Sequence, residues 1–248
     1  MEIRIIPVRG LPEVVAGADL GELIARAVQA QPEGLQDGDV VVVTQKVVSK
    51  AEDRLLDPAT VSPSPFAQTV AAQIGKDAPF VEVVLRESRR LVRMVPGTLI
   101  METRHGHVCA NAGVDHSNIP GGMLCLLPLD PDASARAIRA GLRANTGVDA
   151  AVIISDTFGR AWRLGQTNIA IGVAGMLPVN DYRGQNDTFG VELRVTEIAI
   201  ADELAGAAEL VMGKLEQVPV AIIRGYHYPR GEGTAAQMVR PADKDLFR

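Results

Sequence analysis

In the run AVIISDTFGRAWRLGQTN, residues 151–168, an apolar stretch gives way to a carboxylate and a hydroxyl at Asp156 and Thr157. A second run, NAGVDHSNIPGG at 111–122, carries Asp115 and Asn118 after another apolar stretch. Carboxylate, hydroxyl and amide oxygens are hard donors. They suit Mg²⁺ or Mn²⁺, which keeps several waters and relies on one or two carboxylates plus substrate phosphates. If the two segments are neighbours in a sheet, the carboxylates meet at one edge. The alternative for each is turn capping, which Asp often performs. Lys46 and Lys50, in VVVVTQKVVSKAEDR with Thr44, Gln45 and Ser49, offer ammonium donors to phosphate oxygens. They are otherwise two solvated lysines, and their spacing places them on one face only if the segment is helical. Arg160 and Arg163 flank Trp162. Two guanidinium groups there suit bidentate binding of a carboxylate or phosphate, or else a salt-bridged surface loop.

Other chemistries find less support. G-x-x-x-x-G-K-[ST] and G-x-G-x-x-G are both missing, which excludes a Walker P-loop and a Rossmann fingerprint. Gly10-Leu11-Pro12 leaves only a weak case for backbone anion binding. His105 and His107 flank Gly106, but no third soft ligand stands at a zinc-like spacing. Nucleophile elbows are likewise lacking. Cys109 and Cys125 lie in apolar runs and read as buried thiols.

These residues need elements to carry them. EIRIIPV reads as a first strand, and 19–30 as a helix capped by Asp19. Val40 to Val43 form a β-branched run suited to a strand buried on both faces. The proline-rich stretch 57–65 reads as a loop, followed by helices at 65–75 and 79–88. Strand-like segments cover 89–95 and 98–110, divided at Pro96-Gly97. An irregular stretch follows at 111–122, then a strand MLCLLPL. A capped helix ends at Gly147. The strand at 151–155 leads into a loop carrying Asp156 to Arg163, and a further strand covers 168–174. After a long loop at 177–190, residues 191–196 start a strand or helix. EIAIADELAGAAELVMGK is an amphipathic helix, PVAIIRGY a last strand, and the polar tail 229–248 is loosely held. The mixture, without a strict βαβ cadence, indicates a mixed α/β or α+β fold. It reads as a single domain over 1–248, with two subdomains if the loops at 57–65 and 177–190 mark edges.

The chain has 248 residues, 47% of them apolar, with aromatics at only 4%. Val, Ile, Leu and Ala must therefore fill the core. The net charge of -5 argues against a nucleic-acid partner, which needs basic surface. Neither a signal peptide nor an apolar run approaching the roughly 18 residues of a membrane span is present. A cytoplasmic location is expected.

In matching order over nearly the whole chain, GLPEV, DGDVVVVTQKVVSKAEDR, NAGVDHSN, LPLDPDASARAIRAGL, VIISDTFGRAWRLGQTN and VTEIAIADELAGAAELVMGK resemble the coenzyme F420-0:L-glutamate ligases. The likeness is to the free-standing archaeal type and to the N-terminal half of the two-domain actinobacterial type. It implies that family's α+β fold with mixed sheets in an intertwined homodimer. It also implies GTP-dependent attachment of L-glutamate to F420-0 through an acyl phosphate, with further γ-linked glutamates in some members. The co-substrates would be GTP, L-glutamate and F420-0; the metals would be two Mg²⁺ or Mn²⁺ ions and K⁺. Carried over by position, Leu11, Pro12, Glu13 and Val14, then Gln45, Lys46 and Lys50, match nucleotide-contacting segments. Asn118 matches a GTP contact, Met212 and Gly213 a further nucleotide segment, and Asp115, Asp156 and Thr157 metal ligands. Two departures stand out. GKLEQVP is shorter than the archaeal glycine-rich turn, and Gln45-Lys46 replaces a small hydroxyl pair. Arg160 and Arg163 are candidates for gripping an anionic substrate group, on chemistry alone. The competing expectations are a metal-dependent hydrolase of a phosphorylated small molecule and a non-catalytic GTP-binding relative.

Overall fold

The computed structural model describes residues 2–117 and 119–245. Its elements run β1 (Arg4–Val8), α1 (Leu20–Gln29), β2 (Val40–Thr44), α2 (Gln45–Ala51), β3 (Leu55–Leu56), α3 (Pro65–Ile74), α4 (Ala78–Arg86), β4 (Ser88–Val95), β5 (Thr98–Thr103), β6 (Val108–Ala110), β7 (Leu124–Cys125), α5 (Pro131–Thr146), β8 (Ala151–Arg160), β9 (Arg163–Ala174), β10 (Asn180–Asp181), β11 (Glu197–Ile198), α6 (Ile200–Met212) and β12 (Val220–Arg224). The fold mixes helices with several sheets, as expected. None of its helices is long and apolar enough to cross a membrane among the described residues.

A five-stranded sheet of order β1-β12-β2-β8-β9 organises the molecule. Its only parallel pair is β2 with β8; the other three contacts are antiparallel. That is not a Rossmann order. The β-branched run of β2 is buried on both faces. Val41 and Val43 pack with α1 and α5, whereas Val40 and Val42 pack with α6. Alternation of side chains along a strand produces this split. A separate core gathers α3, α4 and β5 around Val70, Val84, Leu99 and Met101. The small sheet β4-β5-β6 flanks that core.

Helix starts follow capping chemistry. Asp19 accepts from Glu22 N at 3.0 Å and Asp130 from Ala133 N at 2.9 Å, and Gly147 closes α5 in the left-handed region. Helices α1 and α5 meet without side chains between them: a Cβ on Gly21 would stand 2.7 Å from Gly141 Cα.

The structure corrects four expectations. MLCLLPL is strand only at Leu124–Cys125, because Asp115 alone continues its pairing beyond β3. The segment 98–110 breaks into two strands at a turn whose Gly106 has φ +92°. Residues 191–196 form no regular element. The tail is not loose throughout. Asp132 Oδ1 accepts from both Val173 N (2.8 Å) and Ala235 N (2.9 Å), and Ala235 is buried in the α6-side core.

The helix crossing sets opposing tendencies against each other. Intrinsic propensity favours Ala over Gly inside a helix by about 1 kcal/mol. The Gly21 contact says that overpacking outweighs this, typically by about 1–3 kcal/mol. Gly21→Ala is expected to lower stability in urea unfolding with an unchanged m-value. A variant more stable than the parent would show that the helices separate freely.

Candidate active site

The site is built where β2 ends beside β8, which runs on past it into the hairpin with β9. Thr44 pairs with Ser155 in the parallel register, and the chain leaves β2 directly into α2. In open α/β sheets, such carboxyl ends are where ligands bind. Because 45–51 is helical, Lys46 and Lys50 lie one turn apart on a common face. Val47 and Val48 point into the core and fix that face outward. Lys46 Nζ reaches Asp115 Oδ2 at 2.7 Å and donates to Ser117 O and Oγ at 2.9 and 2.7 Å. Lys50 Nζ pairs with Glu13 Oε1 at 2.6 Å.

Asp115 is anchored by backbone pairing with Cys125 across β7, at 2.7 and 3.1 Å. Its approach is a run of left-handed residues, Asn111, Ala112 and Gly113. Its carboxylate accepts from His116 N (2.7 Å), Ser117 N (2.9 Å) and Ser117 Oγ (2.7 Å). Turn capping and site chemistry, alternatives at the sequence level, thus coexist in one side chain. Burial opposes its ionisation, but the Lys46 ammonium and the Ser117 hydrogen bonds outweigh burial and hold it down at about 2.

Asp156 behaves oppositely. It was expected in a loop, but β8 continues through Arg160 and pairs with β9 as a long hairpin. Its partner across the ladder is Ile169. Burial pushes its carboxyl up to about 6, against the hydrogen bond from Thr157 N and the attraction of Lys46, with Asp115 adding repulsion. Two carboxylates therefore share one field, one paired with a lysine and one held up by burial.

Thr157 faces the other side of the strand. Its hydroxyl donates to Asn168 Oδ1 at 2.7 Å, and Asn168 Nδ2 donates to Glu209 Oε2 at 2.8 Å. Lys214 Nζ closes the circuit, donating to Thr157 Oγ1 at 2.8 Å and pairing with Glu209 Oε1 at 2.7 Å. Sequence reasoning missed Asn168, Glu209 and Lys214. Lys214 directly follows the singled-out Met212-Gly213, and Asn168 ends the quoted GQTN; what was invisible was that a hairpin and α6 bring them together.

The remaining candidates divide by exposure. Pro12 and Glu13 are exposed, Leu11 is half-buried, and Val14 is in the core. Gln45 is buried, its Oε1 accepting from Ser49 Oγ at 2.8 Å, so only its backbone faces a ligand. Met212 is likewise buried, and Gly213 turns the chain at φ +57° so that Lys214 reaches Thr157. Arg160 and Arg163 lie at the exposed hairpin tip, away from Asp156; Arg160 donates to Leu164 O (2.5 Å) and Gly165 O (3.4 Å). Asn118 lies outside the described residues. Cys109 and Cys125 are buried free thiols, and burial pushes Cys109 up to about 12.

The donor set fits a hard divalent cation. Among the described residues no three His, Cys, Asp or Glu side chains are gathered as a metal cage. Two carboxylates are present, with the Thr157 hydroxyl on the opposite face of β8, and burial keeps one of the carboxylates from easy ionisation. That is the partial shell expected where water and phosphate oxygens complete the coordination.

The sequence comparisons place the chain in a family. Residues 10–225 match the family model described as F420-0:Gamma-glutamyl ligase. The chain is 45% identical over the whole of both sequences to the coenzyme F420:L-glutamate ligase of Methanothermobacter thermautotrophicus. It is 46% identical, with 99% of this chain and 98% of the relative covered, to the enzyme of that name from Methanopyrus kandleri. A third, from Methanocaldococcus jannaschii, is 44% identical over 93% of this chain and 90% of its own length. With residues 10–225 matching the family model and this likeness across its full length, the chain belongs to the F420-0:gamma-glutamyl ligase family.

Proposed function

We propose that this protein uses GTP to join L-glutamate to coenzyme F420-0, through an acyl phosphate, in coenzyme F420 biosynthesis. The observation that carries the reading is that Asp115 pairs with Lys46 at 2.7 Å while Asp156 lies within the electrostatic reach of Lys46, Asp115 and Lys214. An amide cannot form from a free carboxylate and an amine at neutral pH without activation of the acyl group. The acceptor carboxylate attacks the γ-phosphorus of GTP, and GDP leaves. The glutamate amine then attacks the acyl carbon, loses a proton, and inorganic phosphate departs. Phosphoryl transfer asks the protein mainly for positioning and charge neutralisation.

Asp115, Asp156 and Thr157 would hold the Mg²⁺ or Mn²⁺ ions, two by our reading. When bound, these ions would neutralise triphosphate charge and hold the transferring group in line. K⁺ is a further expected requirement. Lys46 is poised to exchange Asp115 for a phosphate oxygen, and Lys50 to exchange Glu13. Helix α2 holds both ammonium groups on the same side as the carboxylates. Leu11 to Val14, the backbone at Gln45, Asn118 and the turn at Met212-Gly213 complete the nucleotide contacts. Arg160 and Arg163, at the hairpin tip, are assigned to an anionic substrate group.

The same surface supports a homodimer. Leu164 at the hairpin tip and Phe189, Val191 and Val195 are all more than 60% exposed. Apolar groups so exposed mark an interaction surface, and an intertwined second copy is the occupant we propose.

A hydrolase of a phosphorylated small molecule would use the same carboxylates, and a non-catalytic relative would bind GTP without turning it over. Incubation with GTP, L-glutamate and Mn²⁺ separates the three. Ligation is expected to release GDP only when F420-0 is present and to give a product heavier by one glutamyl residue in mass spectrometry. GDP release independent of the acceptor would favour the hydrolase, and GTP binding without release the silent relative. Asp115→Ala and Asp156→Ala are each expected to lower turnover by about 100-fold or more, the scale of losing a principal electrostatic contact.

The Asp156 carboxyl has a signature in the metal-free protein. Its folded pKa, about 6, exceeds an unfolded value near 3.9. The folded state thus holds more protons between these values, so stability falls as pH rises through about 4 to 6 and stays reduced above. Asp156→Asn is expected to raise metal-free stability at pH 7.5 by at most about 3 kcal/mol and to flatten that slope in thermal melts. A lower melting temperature for the variant would contradict the electrostatic account of the site.

A further inference from the structure

We propose that a cavity at the free edge of β9 receives the ring system of the acceptor. This rests on the ligase reading above and extends it to a part of the molecule that neither metal nor nucleotide occupies. The cavity has a volume of about 440 Å³ and is bounded by β4, the β5–β6 turn, the β8–β9 hairpin, the start of α6 and the C-terminal segment. That size is within the range of small-molecule sites, which combine apolar walls with a few placed polar groups.

Position is the first argument. Ile169 lines the cavity and is the ladder partner of Asp156. Residues paired in this way lie about 5 Å apart between Cα atoms. The wall therefore begins beside the proposed site of carboxylate activation and runs outward to Trp162. An elongated acceptor with its carboxylate at Asp156 would extend its body along this edge.

Chemistry is the second argument. Val108, Trp162, Ile169 and Met238 supply apolar and aromatic surface, the kind that covers the faces of a flat ring. Arg93 and Arg240 supply guanidinium groups. Among the described residues neither makes a hydrogen bond or ion pair, so both are open to an oxygen-rich ligand edge. The carboxylates in the wall are already engaged: Asp202 accepts from Ala170 N at 2.8 Å, and Asp245 also has a partner. Arg240 also lines an adjoining cavity of about 650 Å³ with Arg89 and with Arg90, the last paired with Glu102 at 2.9 Å. A planar heteroaromatic ring with carbonyl and phenolate oxygens, tethered to an anionic chain, satisfies every part of this lining. The deazaflavin ring of F420-0 is such a group.

The cavity is also built rather than incidental. Gly106, at φ +92°, lies against Val239, where an added Cβ would come to 3.1 Å of Cγ1. That close approach holds the Met238–Arg240 segment over the cavity.

Trp162 is the only tryptophan in the chain, so its emission reports on this place. Titration of the full-length protein with F420-0, and with its ring–ribitol fragment lacking the phosphate and carboxylate, is expected to quench that emission saturably. GTP with Mn²⁺ is expected not to, and Trp162→Phe removes the signal. The double variant Arg93→Ala, Arg240→Ala is expected to raise the acceptor Kd and KM roughly ten- to hundred-fold, the scale of lost charge-assisted hydrogen bonds, with GTP affinity unchanged. Conversion of both to Lys should restore part of the loss. Unaltered acceptor KM in the double variant, in a wild-type protein that does ligate, would overturn the cavity assignment. A wild-type protein that binds the ring at Trp162 yet never ligates would instead sink the ligase reading and leave the cavity assignment standing.

Discussion

Two carboxylates in one low-dielectric corner cannot both be comfortable without positive charge. Asp115 and Asp156 come from segments 41 residues apart in the chain, and Lys46 stands within reach of both fields. The Lys46 ammonium satisfies Asp115 fully and Asp156 only in part. The result is a site in which one carboxyl group is held paired and the other is pushed up by burial. The neighbouring elements frame this pair: the parallel register sets the end of β2 beside Ser155 of β8, α2 aims the lysines, and Asn168, Glu209 and Lys214 hold the Thr157 hydroxyl.

On the proposed reading, the net acidity of the protein does not oppose an anionic nucleotide. Net charge governs long-range behaviour, but the local field is set by fixed ammonium groups and by cations brought with the ligand. Lys46 and Lys50 are each already paired with a carboxylate, so substrate phosphate would enter by exchange rather than by filling an empty basic pocket. The same exchange leaves Asp115 available to a metal when the lysine turns to phosphate. Ground-state ion pairs thus act as placeholders for the charged contacts of the working complex.

Much of the architecture was legible because its signals are local. The β-branched run at Val40–Val43 announced a strand buried on both faces, and Asp19, Asp130 and Gly147 announced helix ends. The oxygen donors Asp115, Asp156 and Thr157 were also visible, as residue types at the ends of apolar runs. What failed was anything decided by pairing across distance. Residues 156–163 look like a loop because Gly159, Arg160 and Gly165 suggest one, yet the cross-strand Thr157–Asn168 bond and the ladder to β9 extend the hairpin. Lys46 and Lys50 were ambiguous until α2 proved helical. Lys214 reads from sequence as the end of the amphipathic helix, whereas α6 stops at Met212 and the Gly213 turn delivers it to Thr157. The tail looked loose because its grip comes from Asp132, about a hundred residues earlier.

The central claim is that Asp115, Asp156 and Thr157 jointly clasp divalent cations against a nucleotide triphosphate. Anomalous diffraction from crystals grown with Mn²⁺ and a non-hydrolysable GTP analogue tests it most directly. The account predicts manganese peaks at coordination distance, about 2.0–2.2 Å for such a hard cation on oxygen, from both carboxylates and the Thr157 hydroxyl. It also predicts that Lys46 Nζ will have left Asp115 for a phosphate oxygen. Manganese bound elsewhere, with the Lys46–Asp115 pair intact beside the nucleotide, would contradict it.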